Sequence, residues 1–365
     1  MEALNKRLLS LDVMRGAIMV LLMLESTGLY GYLIEATNEN FLHSFFIQFE
    51  HHPWHGLRFW DLIQPGFMFI AGTAMAFSVH GQQQKGITWN QSFIKTTKRS
   101  AWLFFWGVLD YAVRPQGLSF ELWDVLTQLS FTMLVAFLIY HWSYRAQFFF
   151  SIGLLILTEL LYRFAHVPNF DQPFTDQHNF GNYIDLVLMN KINSGGWVAI
   201  NCLPTAAHTI WGAMAGKLLL SGNSGFKKIK YLLIAGTIGL LSGYLLDISF
   251  TPIIKRIATS SFVFASAGWC LLTLVFVYWL IDMKGNKKFT HFFVVVSMNS
   301  LFIYLFIEIV AGRWFNGYIG ALTRGLMAFV SLPPLAMNLI TSLVIFFIEW
   351  KMCEFLFRKK VFFKI

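Results

Sequence analysis

Ten stretches of mostly apolar residues, most of them close to the length that crosses a bilayer, leave this chain few folds to choose from. A spanning helix needs about 20 such residues. The stretches run over residues 11–34, 57–79, 99–113, 123–142, 146–164, 199–221, 229–247, 258–281, 292–312 and 334–356. In hydrocarbon, each backbone polar group must be satisfied inside the protein, which selects helices over any open sheet. Composition agrees, with 56% of residues apolar, 13% charged and a mean hydropathy of +0.57; a soluble domain carries about a quarter charged residues. The expectation is an all-α integral membrane bundle of about ten transmembrane helices, forming a single domain over 1–365.

Basic residues set the orientation. The N-terminus, the 80–99 loop, Arg145, the 217–230 region, the 284–288 loop and the C-terminal tail carry 19 Lys and Arg, against 8 in the alternate loops. The positive-inside rule therefore puts both termini in the cytoplasm, in a multi-pass protein of the cell (inner) membrane. An even number of spans follows, and ten fits. Acidic residues sort the other way, 14 of the 19 falling on or near the outer side. The basic pI of about 9.4 thus reflects topology, and no nucleic-acid-binding motif accompanies it. Cys202, Cys270 and Cys353 sit in apolar segments without CxxC spacing, so neither a disulfide framework nor a zinc site is expected. The first apolar stretch lacks a cleavage signature and reads as a retained helix.

Ionisable groups at depth are costly and commonly functional or paired. Counted along their helices, Glu25, Asp61, Asp110, Asp124, Glu159, Asp247 and Glu308 fall in the outer portion, and His208 nearer the middle of its span. Arg15, Lys217 and Asn299 fall in the inner portion. For Asp110, Glu121, Asp124 and Asp247 the ordinary role of a hydrated helix end is favoured. The densest chemistry is His51-His52-Pro53-Trp54-His55-Gly56-Leu57, followed by Asp61, Pro65 and Gly72. An imidazole titrates near neutrality and can relay a proton between an attacking and a leaving group. A nearby carboxylate can fix its tautomer and stabilise its charged form. Three histidines on one proline-containing loop, with no evident fourth ligand, make a metal site the weaker option.

These residues also carry a family pattern. Leu11-Asp12-Val13-Met14-Arg15-Gly16 opens the first span; the run His51…Trp54-x-Gly56-Leu57…Asp61-Leu62…Pro65-x-Phe67-x-Phe69-Ile70-x-Gly72 follows. Ala215-Gly216-Lys217, Pro252 to Phe262 and Met298-Asn299-Ser300 come later in the chain. Together they resemble the transmembrane acetyltransferases related to heparan-α-glucosaminide N-acetyltransferase and its bacterial homologues. The chain departs from that pattern at Glu25-Ser26, where the family often has asparagine, and at Gln128-Leu129, where many members have Gln-Arg.

The resemblance implies transfer of acetyl from cytosolic acetyl-CoA across the membrane to an amino sugar at the outer face, in a homodimer. It selects His51 as the active histidine, with His52 its close rival. Read from the residues, His51 or His52 is the base, or a transient acetyl carrier, and Asp61 its orienting partner, with Glu25 a further acidic candidate. Arg15 and Lys217, with Asp12 and Asn299 beside them in the motifs, are the candidates for holding coenzyme A; Arg and Lys bind phosphate directly. Trp54, Glu308 and His208 are candidates for the acceptor, Trp54 by stacking on a sugar ring. Gly16, Gly72, Gly212, Ala215 and Gly216 permit close helix approach, either beside a passage for the pantetheine arm or in ordinary packing. The 165–197 stretch reads as a long outer loop, either a lid or a simple excursion, and 313–333 as an interfacial helix. No metal is expected. The partners expected are acetyl-CoA, an amino-sugar acceptor and the bilayer, with no nucleic acid. The competing classes are a secondary transporter, disfavoured by the lack of an internal repeat, and a sugar O-acyltransferase.

Overall fold

The computed structural model describes residues 8–37, 40–114, 118–330 and 332–363, and every regular element among them is helical. In chain order these are α1 (Leu9–Ser26), α2 (Leu29–Glu35), α3 (Phe41–Phe46), α4 (Ile63–Gln84), α5 (Trp89–Ala112), α6 (Val125–Leu138), α7 (Tyr144–Phe164) and α8 (Phe180–Met189). There follow α9 (Cys202–Leu220), α10 (Gly225–Ser249), α11 (Ser260–Tyr278), α12 (Thr290–Ser297), α13 (Ser300–Phe306), α14 (Asn316–Met327) and α15 (Pro334–Arg358). Side-chain caps start many of them. Thr88 and Gln91 form a capping box on α5, Asn179 and Asn182 another on α8, and Asp124, Ser143 and Ser224 cap α6, α7 and α10.

Each of the ten expected segments carries a helix. Among the described residues four helices are long and apolar enough to cross a membrane: Phe59–Gln84, Tyr144–Phe164, Gly225–Ser249 and Ser260–Met283. Two bent pairs, Leu9–Ser26 with Leu29–Glu35 and Thr290–Ser297 with Ser300–Met327, raise the number to six if each pair is one span. Among the remaining segments α6 is shorter and α5 is more polar. The protein is thus an all-α membrane protein. Lys6, Arg7 and Lys364, which contribute to the charge asymmetry, lie outside the described residues.

The chain divides into two compact units, the first drawn from Met1–His51, Arg58–Trp60 and Val277–Lys364, the second from His52–Leu57 and Asp61–Phe276. In the first unit α1 packs on α12, where a side chain at Gly16 would collide with the Phe293 carbonyl. Two of its helices are broken. Between α1 and α2 the chain turns by 64° at Thr27 and Gly28, the glycine at φ +78°. The carbonyls exposed there are caught by side chains: Asn316 Nδ2 donates to Ser26 (2.8 Å) and Ser342 Oγ to Thr27 (2.9 Å). Such repair is what allows a helix to break away from water. The second break, of 72°, falls at Met298–Asn299. The chain beyond α13 continues as a π-helix over Ile307–Phe315 into α14, where an interfacial helix was expected.

The second unit is built around α4 and α9. Side chains added at Gly72 and Gly212 would collide with the Thr209 and Phe69 carbonyls, and one at Gly216 would lie 2.6 Å from Ala76 Cβ. The two backbones therefore touch, as small residues allow, and these glycines pack a closed seam instead of flanking a passage. The expected 165–197 loop is instead a folded segment. It contains α8, whose Asn179, Asn182 and Asp185 are fully buried.

Candidate functional site

Residues 52–57 carry no helix and are fastened to the stretch between α10 and α11. Gly56 N–H donates to the Ile253 carbonyl (2.9 Å), and His55 pairs antiparallel with Ile254. His55 Nε2 lies 2.7 Å from Asp247 Oδ1, an oxygen that also accepts Ile253 N–H at 2.7 Å. The indole N–H of Trp54 donates to the Phe174 carbonyl (2.7 Å), and Leu57 packs against a core of Ile253, Phe262 and Val263. Gly56 has φ +143°, and a Cβ there would lie 2.6 Å from His52 Nε2. Only glycine lets the His52 ring lie across this turn. The segment is thus a fixed platform beneath one imidazole.

Asp61, in the 3-10 turn Phe59–Leu62 that leads into α4, is fully buried. Its Oδ2 accepts the main-chain N–H of His52 at 3.3 Å. Its Oδ1 lies 3.8 Å from Lys255 Nζ, and Lys255 is only 6% exposed. The Trp197 ring centroid is 4.9 Å from that ammonium, within cation–π range. Burying two charges is costly unless each meets the other, and removing one partner of such a pair typically costs about 3–5 kcal/mol. The His52 main chain, the Asp61 carboxylate, the Lys255 ammonium and the Trp197 indole thus form one linked cluster within the second unit.

Trp197 is held by the turn that carries it. Asn193 Oδ1 accepts Gly195 N–H (2.7 Å), the Arg256 guanidinium donates to the Gly195 carbonyl, and Asn201 Nδ2 donates to the Arg256 carbonyl (2.6 Å). Gly196, at φ +77°, lies against Trp54 and Asp176. Behind the turn, Asp185 accepts Ala199 N–H at 2.8 Å and Trp123 Nε1–H at 2.9 Å. Burial pushes the Asp185 carboxyl up to about 7, opposed by those two donors.

The other sequence candidates are dispersed. In the first unit, His51 is partly buried and its carbonyl accepts from Arg58 Nη1 (3.0 Å). Glu25 is exposed near the end of α1, Asp12 and Arg15 form a 3.7 Å ion pair in its first half, and Glu308 sits in the π-helix. Asn299 ties down the C-terminal segment, its Nδ2 donating to the Val361 carbonyl (3.1 Å) and its Oδ1 accepting Phe363 N–H (3.0 Å). In the second unit, Lys217 Nζ donates to the Tyr140 carbonyl and to the Trp142 carbonyl (3.3 Å), beyond the C-terminus of α6. His208 is fully buried, with Nε2 2.8 Å from Ser266 Oγ, and the Ser266 hydroxyl donates to the Phe262 carbonyl (2.6 Å). Trp54, expected to stack on a sugar, uses its N–H to hold the loop.

Sequence reasoning overlooked Lys255, Asp185 and Glu349. Lys255 was one of eight basic residues on the outer side, but its flanks, Ile253-Ile254 and Ile257-Ala258, are the trace of burial. Glu349 in α15 is fully buried, and neither carboxyl oxygen has a hydrogen-bond partner. Among the described residues no group of three or more His, Cys, Asp or Glu is arranged to hold a metal ion. Compared with known proteins, the chain matches no protein-family model and no curated protein.

Proposed function

We propose that the chain is a transmembrane acyltransferase of about ten spans, with both termini in the cytoplasm of an inner-membrane protein, that moves acetyl from cytosolic acetyl-CoA to a sugar at the outer face. The family resemblance supplies the donor and, in its usual form, an amino-sugar acceptor. The observation that carries the chemistry is the buried Asp61–Lys255 pair beneath Trp197, joined through Asp61 to the main chain of His52.

An imidazole at this position takes the proton of the attacking group and returns it to the leaving thiolate. The Lys255 ammonium offers N–H donors to the oxyanion that develops on the thioester carbonyl, while Asp61 balances its charge in a buried setting. His51 is the histidine the resemblance selects; His52 is the one fastened to Asp61 through its main chain. Direct attack and an acetyl-imidazole intermediate both use the same groups. For the coenzyme, Arg15 keeps a partner in Asp12, whereas Lys217 is engaged with the carbonyls beyond α6 and would have to exchange them for phosphate. The pantetheine arm does not pass along the α4–α9 seam, which is closed by backbone contact.

The test is thioester loss from acetyl-CoA by purified protein supplied with sugars, in wild type, His51→Ala and His52→Ala. Loss of turnover by at least about 100-fold in one of the two histidine variants is expected, in line with removal of a general base. Full turnover in both would remove the histidines from the chemistry. The broken helices α1–α2 and α12–α13 favour a second reading, a secondary transporter, because such breaks commonly line solute sites. Solute flux in liposomes with no thioester loss would select it.

A further inference from the structure

We infer that the acceptor atom is a sugar hydroxyl oxygen and that Lys255 is the residue that selects it; this rests on the acyl-transfer reading above. An amino sugar reaches neutral solution as an ammonium ion, and a site built to receive it needs a carboxylate whose charge is open. Asp61 is the carboxylate at the candidate site, and the Lys255 ammonium already stands 3.8 Å from it. Next in the chain, Arg256 places a second cation on the same turn, its guanidinium against the Gly195 carbonyl. Asp247 is taken up by His55 and by Ile253 N–H. Asp176 has its Oδ1 buried without a hydrogen-bond partner, packed where Gly196 leaves no room for a side chain. An arriving ammonium would therefore find the Asp61 charge already balanced by Lys255, which leaves the unpartnered Asp176 oxygen as an acceptor that the experiment below tests.

A hydroxyl suits the same groups. It arrives neutral and gives its proton to an imidazole as its oxygen attacks the thioester carbon. The new C–O bond forms, and the tetrahedral oxyanion draws on the Lys255 ammonium. The C–S bond then breaks, and the imidazole returns the proton to the coenzyme A thiolate. The products are a sugar acetate ester and free coenzyme A thiol, with atoms and charge conserved. Trp197, beside Lys255 and only partly buried, supplies an aromatic ring whose face is suited to stacking on the C–H face of a sugar.

The experiment uses the full chain in detergent or nanodiscs with acetyl-labelled acetyl-CoA and, in parallel, glucose, N-acetylglucosamine and glucosamine. Each product, freed of acetyl-CoA, is then treated with alkaline hydroxylamine, which cleaves acetate esters and spares amides. Expected is hydroxylamine-labile label on all three sugars. Lys255→Met is expected to lower ester formation at least tenfold and raise the amide-to-ester ratio on glucosamine, while Lys255→Arg keeps the wild-type ratio. Hydroxylamine-resistant label on glucosamine, with none on the other two sugars, overturns the inference and leaves acyl transfer standing, most directly if Asp176→Asn then abolishes it. An unchanged ratio in a folded Lys255→Met protein also overturns it. Should that variant fail to fold, the linkage made by the wild type decides alone. Absence of thioester loss with every acceptor overturns acyl transfer and the hydroxyl inference together.

Discussion

The α4–α9 pair of the second unit and the broken helices of the first solve the same problem in opposite ways. Where α4 meets α9, glycines bring backbone against backbone, neither helix is broken, and the contact has no slack. At Thr27–Gly28 the helix is interrupted and the side chains of Asn316 and Ser342 take over the freed carbonyls, while at the Asn299 break the asparagine side chain itself bonds the main chain of the C-terminal segment. The first arrangement tolerates almost no change of shape. The second is held by a few exchangeable hydrogen bonds, each worth about 0.5–1.5 kcal/mol. A fixed scaffold suits the platform that carries His52 and Asp61; adjustable joints suit a part of the molecule that moves.

The contrast can be broken experimentally. The largest effect is expected from Gly72→Val and Gly212→Val, whose side chains have nowhere to go except into a backbone carbonyl. Overpacking commonly costs about 1–3 kcal/mol and more where backbone must part, so loss of the folded species on detergent size-exclusion chromatography is expected. A well-folded Gly72→Val protein would show that the seam yields. Next comes Asn299→Ala, which removes two hydrogen bonds to the C-terminal segment and is expected to cost about 1–3 kcal/mol. Its signature is faster proteolysis near residues 359–363, with the rest of the chain unaffected. Equal damage from this change and from Gly72→Val would erase the distinction drawn here.

A smaller effect tests the rigid unit through pH. Burial raises the Asp185 carboxyl to about 7 in the folded protein, above its ordinary value of 3.8. Its protonated form is therefore the better tolerated one. The associated stability is fully present below the ordinary value and is lost as pH rises through about 7. Wild type is expected to melt at a lower temperature at about pH 8 than at about pH 5, and Asp185→Asn to flatten that slope; an unchanged slope would remove Asp185 as its source. The smallest effect belongs to Gly81→Ala, in the same helix as Gly72 but with no atom near its missing side chain. It is expected to be neutral or to raise stability by up to about 1 kcal/mol, the helix-propensity difference.

Much of this architecture is legible in the sequence. Apolar length alone pointed to helices in each of the ten segments, and among the described residues four of them, or six with the bent pairs, are long and apolar enough to span. The breaks were not legible, since Thr27-Gly28 and Met298-Asn299 look like ordinary residues inside apolar runs until the partners that repair them are known. The 165–197 stretch was misread for a related reason. Its prolines and glycines resemble a loop, while Asn179 and Asn182 are buried as a reciprocal helix cap and Asp185 by its bonds to Ala199 and Trp123. At the candidate site, His52, Asp61 and Gly56 stood out locally. Lys255 and Trp197 did not, because what matters about them is the meeting of Lys255 with Asp61, some 190 residues away in the chain, and of Trp197 with Lys255, some 60 away.

The glycine seam also bears on how the protein is made. Thr209 follows Gly72 by 137 residues, which at about 5–20 residues per second is an interval on the order of 10 s of synthesis. Throughout that time α4 has left the ribosome while α9 does not yet exist. Its grooved face, shaped for one neighbour, must wait among lipids or against an insertase before the scaffold can close.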